Sequence, residues 1–319
     1  MKMIGFHASH ELYTPRQLLD AVVMAENAGF ECAMCSDHFR PWKQDGQSGY
    51  AFSWLAAALQ ATNLSFGSVH APGQRYHPAI SAQAIATLGE MFPERYWVAL
   101  GSGQNLNESV TGGRWPGKPE RNERLRDCAI AIQNLLRGER VTKSGRVVID
   151  DAYLYTRPET PPAVYGAAIS DETCAFVGGW AEGLVTVEGK PEEVQRKIEA
   201  FRNGGGEGKP VFMQSAIGYA RTEKEAIEAV KRNWPVATLN CTELEDIELP
   251  EEMESLAKTR DASKVTKCIR ISADLDLHCK WIEDDFKAGI ERSYLHYLGD
   301  DLPNFIKLFG KEVLAKVKR

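Results

Sequence analysis

The chain has 319 residues, 43% hydrophobic and 26% charged, with a net charge of −6. That length allows one large domain or two ordinary ones, and the mixed charge excludes a basic nucleic-acid footprint. No window approaches eighteen uninterrupted apolar residues, and the start MKMIGFHASHE lacks a long apolar stretch, so neither a membrane span nor a signal peptide is expected.

The first apolar run is MIGFHA (3–8). Thr14-Pro15-Arg16-Gln17 then opens a helix, with Thr as cap, Pro in the first turn and Gln three residues after the cap; Gly29 ends it. ECAMCS (31–36) is the second strand, followed by a helix through 53–62. LSFGSVHA (64–71) is the third, with a helix over 78–91, and YWVALGS (96–102) is the fourth, with a helix over 120–138. Residues 140–157 break the rhythm: RVTKSGRVVID and AYLYT read as the strands of an inserted hairpin, with Ser144-Gly145 as its turn. AVYGAA (163–168), GLVTVEG (183–189) and PVFMQSAIGYA (210–220) are the next strands. Helices start near Ser170, at Pro191 and after the capping box Thr222–Glu225. Segment 237–268 reads as an irregular, acidic excursion. A helix near 274–289, strand SYLHYL (293–298) and a helix over 302–317 close the chain.

Eight strand–helix units predict a parallel (β/α)8 TIM barrel with insertions; an open doubly wound sheet is the alternative. In a barrel the chemistry sits where strands end and loops begin. CxxC at Cys32 and Cys35 lies inside a strand, so the two thiols face opposite ways, on the order of 10 Å apart along the chain. A disulfide or shared metal does not fit that spacing, no further ligand pair accompanies it, and no metal site is expected. The odd, scattered set of seven cysteines fits reduced thiols and a cytoplasmic location.

His38 falls at the end of the second strand, after Asp37 and four residues before Trp42. A histidine there can serve as general acid or base, or simply bond a neighbouring carbonyl. The third strand ends in GSVHAPG (67–73) and the fourth in LGSGQNLNE (100–108); their small residues let a ligand approach the backbone, or simply make tight strand-to-loop turns. Leu106 breaks any GxGxxG, so no dinucleotide fingerprint is read. Ala168-Ile169-Ser170-Asp171-Glu172-Thr173 joins the fifth strand to its helix. Its N–H groups and hydroxyls can take an anion, or Ser170 can be a plain cap.

SDHFRPW, SVHAPGQRYHPA and GSGQNLNE, in this order, resemble the luciferase-like family of flavin- and deazaflavin-dependent oxidoreductases. The branch they resemble most is that of the coenzyme F420-dependent glucose-6-phosphate dehydrogenases. The likeness is strong over residues 2–139 and looser to the C-terminus. It implies a single luciferase-like (β/α)8 barrel domain over 1–319, a flavin at the strand ends, and a homodimer. It also implies a cis bond between Ser68 and Val69, His38 as the base for a substrate hydroxyl, and Trp42 lining the pocket.

Three departures from the branch shape the expectation. Gln104 stands where the branch has an acidic glutamate (GTGEALNE), and an amide can hydrogen-bond but cannot act as an acid. Ile169-Ser170 replaces a glycine pair, and Ser170 with Thr173 is similar to the phosphate grip of FMN-binding relatives. The positions of the sugar-phosphate cations align with Gly189, Ser255 and Cys268, although Lys190 and Lys267 are adjacent. The expected function is therefore a flavin-dependent oxidoreductase, monooxygenase or dehydrogenase, acting on a small organic molecule with FMN as cofactor. A flavin reductase or NAD(P)H would supply electrons. The expected catalytic residues are His38, Trp42 and Gln104. Those expected at the cofactor are Asp37, Ser68, Val69, His70, Gly101, Gly103, Ala168, Ser170 and Thr173. The alternatives are an F420-dependent dehydrogenase of an alcohol or sugar, and a non-catalytic flavin-binding barrel.

Overall fold

The computed structural model describes residues 2–317 except 240, with only the backbone at 241 and 242. Eight parallel strands close into a barrel: β1 (Met3–Ala8), β2 (Cys32–Cys35), β3 (Ser65–His70), β4 (Tyr96–Leu100), β5 (Val164–Ala167), β6 (Leu184–Val187), β7 (Val211–Gly218) and β8 (Arg292–Tyr297). They pair in chain order, and β8 returns to β1 with Phe6 opposite Leu295. A two-residue strand, Arg270–Ile271, adds to the end of β7.

Strand alternation sorts the side chains. Cys32, Met34, Trp97, Ala99, Val185, Phe212 and Tyr294 fill the barrel interior, while Ile4, Phe6, Phe66, Val98 and Leu295 face the helices. Cys32 lies in the interior and Cys35 in the outer layer. Burial raises both thiols, Cys32 to about 11. The interior is so closely filled that a Cβ on Gly67 would overlap the Trp97 ring.

The helices follow from their caps. Thr14 and Thr222 each form the reciprocal box with Gln17 and Glu225, starting Pro15–Asn27 and Glu223–Asn233. Three expectations are corrected. All peptide bonds among the described residues are trans, Ser68–Val69 included, and Ser68 and Val69 pair in register with Val98 and Ala99. The hairpin is shorter than expected: Val141–Lys143 pairs with Ile149–Ala152, and 153–156 lies outside it. The excursion is helical rather than irregular, with helices Cys241–Asp246, Pro250–Lys258 and Val265–Cys268. Pro250 begins an amphipathic turn whose Met253, Leu256 and Ala257 pack with Trp42, Leu106 and Leu239.

Candidate active site

The register of β1 with β2, Ala8 opposite Cys35, places the first two strand-end loops side by side. Glu11 on one loop thereby meets His38 on the other, with Nε2 3.4 Å from Glu11 Oε1. Glu11 is buried and accepts from the hydroxyls of Ser9 (2.8 Å) and Ser36 (2.7 Å). Burial alone would raise its pKa; His38 and the Ser36 hydroxyl outweigh that and hold the carboxyl well below its usual range. Burial lowers His38, against a smaller upward pull from Glu11. The pair is thus a neutral imidazole against an ionised carboxylate.

Asn107 fixes the tautomer. Its Oδ1 accepts from the N–H groups of Phe39 (2.9 Å) and Arg40 (3.3 Å), so its Nδ2 faces His38 Nδ1 at 3.2 Å and donates. The imidazole proton therefore sits on Nε2, towards Glu11, and Nδ1 is the basic nitrogen. Trp42 lies 4.9 Å from His38, ring centre to ring centre, and 5.6 Å from Trp234.

His38, Trp42 and Asn107 border a cleft of ≈ 220 Å³ at the C-terminal mouth of the barrel. Asp37, Val69, His70, Gly101, Gly103, Gln104, Ala168 and Thr173 line it as well. Several of them are occupied by their own structure. Asp37 binds His70 Nδ1 (3.2 Å), Arg75 Nη2 (3.0 Å) and the Tyr76 hydroxyl (3.2 Å), which keeps its pKa low against burial. His70 Nε2 is held by Ser81 at 2.8 Å. Gln104 precedes the short helix Asn105–Glu108, and its carbonyl accepts from the Asn107 and Glu108 N–H groups.

Two expected cofactor residues do not line the cleft. Ser68 falls on the outer face of β3, where its hydroxyl meets Tyr96 at 2.7 Å; strand alternation turns it away. Ser170 caps the helix Asp171–Gly178, accepting from the Thr173 N–H and donating to Thr173 Oγ1 at 2.9 Å. Its hydroxyl is spent within the cap.

Sequence reasoning passed over Glu11, Asn107 and Gln214. Glu11 lies three residues past β1, and a search of every strand end would have reached it. Asn107 stands inside the GSGQNLNE stretch, but its partner is the His38 loop, 69 positions away. A strap also closes over the cleft. Lys118 donates to Glu245 at 2.6 Å and to Ser102 at 3.2 Å, Arg121 pairs with Glu245, and Trp115 Nε1 donates to Asp246 at 2.9 Å.

Residues 3–267 match the family model of the luciferase-like monooxygenases. An F420-dependent glucose-6-phosphate dehydrogenase from Microbacterium testaceum is 33% identical, over 99% of this chain and 97% of its own length. Its counterpart from Beutenbergia cavernae is also 33% identical, over 100% of this chain and 98% of its own. The solved structure of an F420-dependent secondary alcohol dehydrogenase, in complex with an F420–acetone adduct, superposes with a TM-score of 0.93. It is 29% identical, and the match covers 100% of both chains.

Proposed function

The chain belongs to the luciferase-like monooxygenase family, and on that premise we propose that it is a coenzyme F420-dependent dehydrogenase of an unphosphorylated alcohol. The observation that carries this reading is the neutral His38 on the cleft, backed by the buried Glu11 carboxylate. When bound, F420 supplies a two-electron acceptor for the hydride of the carbinol carbon. The substrate hydroxyl takes the place of Asn107 Nδ2 at His38 Nδ1 and gives that nitrogen its proton. Glu11 then faces an imidazolium and stabilises it, as a buried carboxylate does behind any catalytic histidine. Trp42, buried and lining the cleft, keeps water from that face, with Trp234 packed behind it.

The cleft fits a flat, largely apolar ring. Val69, Ala71, Ala167, Ala168, Ile169 and Val185 make one wall, and the Thr186 hydroxyl on the same side is buried without a partner. These residues would hold the deazaflavin. F420 is preferred to FMN for two reasons: the relatives of 29–33% identity are F420 enzymes, and the Ser170 hydroxyl expected to grip the FMN phosphate is taken by Thr173. A sugar phosphate is disfavoured by a neighbouring cleft of ≈ 720 Å³ that holds Gly189, Lys190, Lys267 and Cys268. Its four basic side chains, Lys190, Lys267, Arg270 and Lys280, are matched by four acidic ones, Glu188, Glu193, Asp284 and Asp285. Arg270 is fully engaged by Asp285 at 2.6 and 2.7 Å.

The test is coenzyme bleaching by a secondary alcohol. The wild-type chain should reduce F420 at least a hundredfold faster than His38→Ala, with F420 affinity unchanged between them. Equal rates in the two proteins would refute the assignment of the base.

A further inference from the structure

The mouth of the barrel is chemically two-sided. Towards β3, β5 and β6 it is lined by Val69, Ala167, Val185 and Val187. Towards β7, β8 and β1 the interior positions are Gln214, His296 and His7. His7 and His296 are register neighbours on paired strands, with ring centres 4.5 Å apart. Gln214 lines the cleft that also holds His38, and its Nε2 meets His296 Nδ1 at 3.0 Å.

That bond decides what Gln214 can offer. An unprotonated Nδ1 accepts from one N–H of the amide, so Gln214 has its amide oxygen left as an acceptor for a ligand, beside its second N–H. His296 is held in place by His7 on one side and by Trp234, perpendicular at 4.9 Å, on another. It is 1% exposed, and burial lowers it to about 4, so it remains neutral and an acceptor at Nδ1. Its Nε2 and His7 Nδ1 are buried without a partner. Neither ring lines the cleft, so Gln214 is the member of the three that a ligand there can reach, and the two histidines act behind it. The three are uncharged, and the nearby Glu11 carboxylate is engaged by Ser9, Ser36 and His38, so a neutral hydroxyl, which can donate to the amide oxygen, is a complementary group.

We propose that Gln214, its amide oriented by His296, selects substrates that carry a second hydroxyl beside the one oxidised. This rests on the alcohol dehydrogenase reading. Gln214 contacts the substrate; His296 is a positioning residue. A vicinal diol gives its reacting hydroxyl to His38 and its other hydroxyl to the Gln214 amide oxygen. A simple alkyl alcohol leaves that oxygen unpaired.

The experiment compares propane-1,2-diol with propan-2-ol, using the protein loaded with F420. The expected kcat/KM ratio of diol to monool is about tenfold or more, the value of one hydrogen bond lost in a desolvated site. Gln214→Leu and His296→Phe should bring the ratio to about one. His296→Asn, whose amide oxygen can still accept from Gln214, should restore a preference for the diol. Saturation-transfer NMR on the protein without coenzyme gives a reading independent of turnover: the diol should show contact in the wild type and lose it in Gln214→Leu. A ratio near one in the wild type, or an unchanged ratio in Gln214→Leu, overturns this inference and leaves the dehydrogenase reading standing. Failure of both alcohols to bleach F420 overturns the dehydrogenase reading, and the NMR contrast then decides the role of Gln214 by itself.

Discussion

At the scale of single residues, the proposed base is His38, which burial weakens and one buried carboxylate partly restores. Glu11 pulls the His38 pKa upward against burial. Glu11→Gln removes that pull, so the imidazole becomes a weaker base. The acid limb of the kcat/KM profile should then move to lower pH, while the plateau falls by about ten- to a thousandfold, the range of a general-base contribution. A pH–rate series on the two proteins measures both. An acid limb that stays in place would show that His38 is not the group titrating. The place of His38 and Trp42 on the cleft was legible in the sequence, because the end of a barrel strand is a position that sequence can locate. Glu11 and Asn107 act through contacts 27 and 69 residues away along the chain, which no local pattern carries. Ser68 shows the converse limit: it sits in the right stretch, yet alternation along β3 gives its side chain to Tyr96.

At the scale of elements, the strands and the capped helices were readable because each rests on a local signal. The barrel strands lie within about two residues of the sequence reading, and the Thr14 and Thr222 boxes formed as their spacing predicts. The excursion was misread as irregular because its helices are short and acidic and gain their stability from Trp42, Leu106 and Leu239, residues distant in sequence. Its closure over the cleft runs through Glu245. Glu245→Gln should weaken the hold of Lys118 and Arg121 and speed amide exchange across 244–258. The substrate KM should rise several-fold and the thermal midpoint change little. Unchanged exchange there would mean that the strap does not depend on this contact. In the barrel wall, Gly67→Ala drives a methyl into the Trp97 ring and should cost about 3 kcal/mol, read as a lower denaturation midpoint.

At the scale of the whole molecule, acid sensitivity follows from buried neutral histidines. Burial lowers His278 and His296 to about 4, and His7, His10 and His38 move the same way. The unfolded chain protonates them near 6.5. As pH falls from about 6.5 towards 4, the unfolded state therefore binds more protons and stability is lost; above 6.5 their contribution is complete. Each fully protonated difference costs about 1.4 kcal/mol per pH unit. Glu188, raised to about 7 by burial, binds its extra proton in the folded state and offsets about one of them. Denaturant midpoints at pH 7.5 and 5 should show a clear fall, and equal midpoints would refute the neutral assignment. The functional reading turns on the coenzyme. Sequence alone pointed to FMN through Ser170 and Thr173; the fold shows those hydroxyls bonded to each other, and the relatives at 29–33% identity are F420 enzymes. The most direct measurement is a side-by-side fluorescence titration of the purified chain with F420 and with FMN. Micromolar binding of F420 with FMN at least a hundredfold weaker is the predicted result, and tight binding of FMN with none of F420 would contradict it.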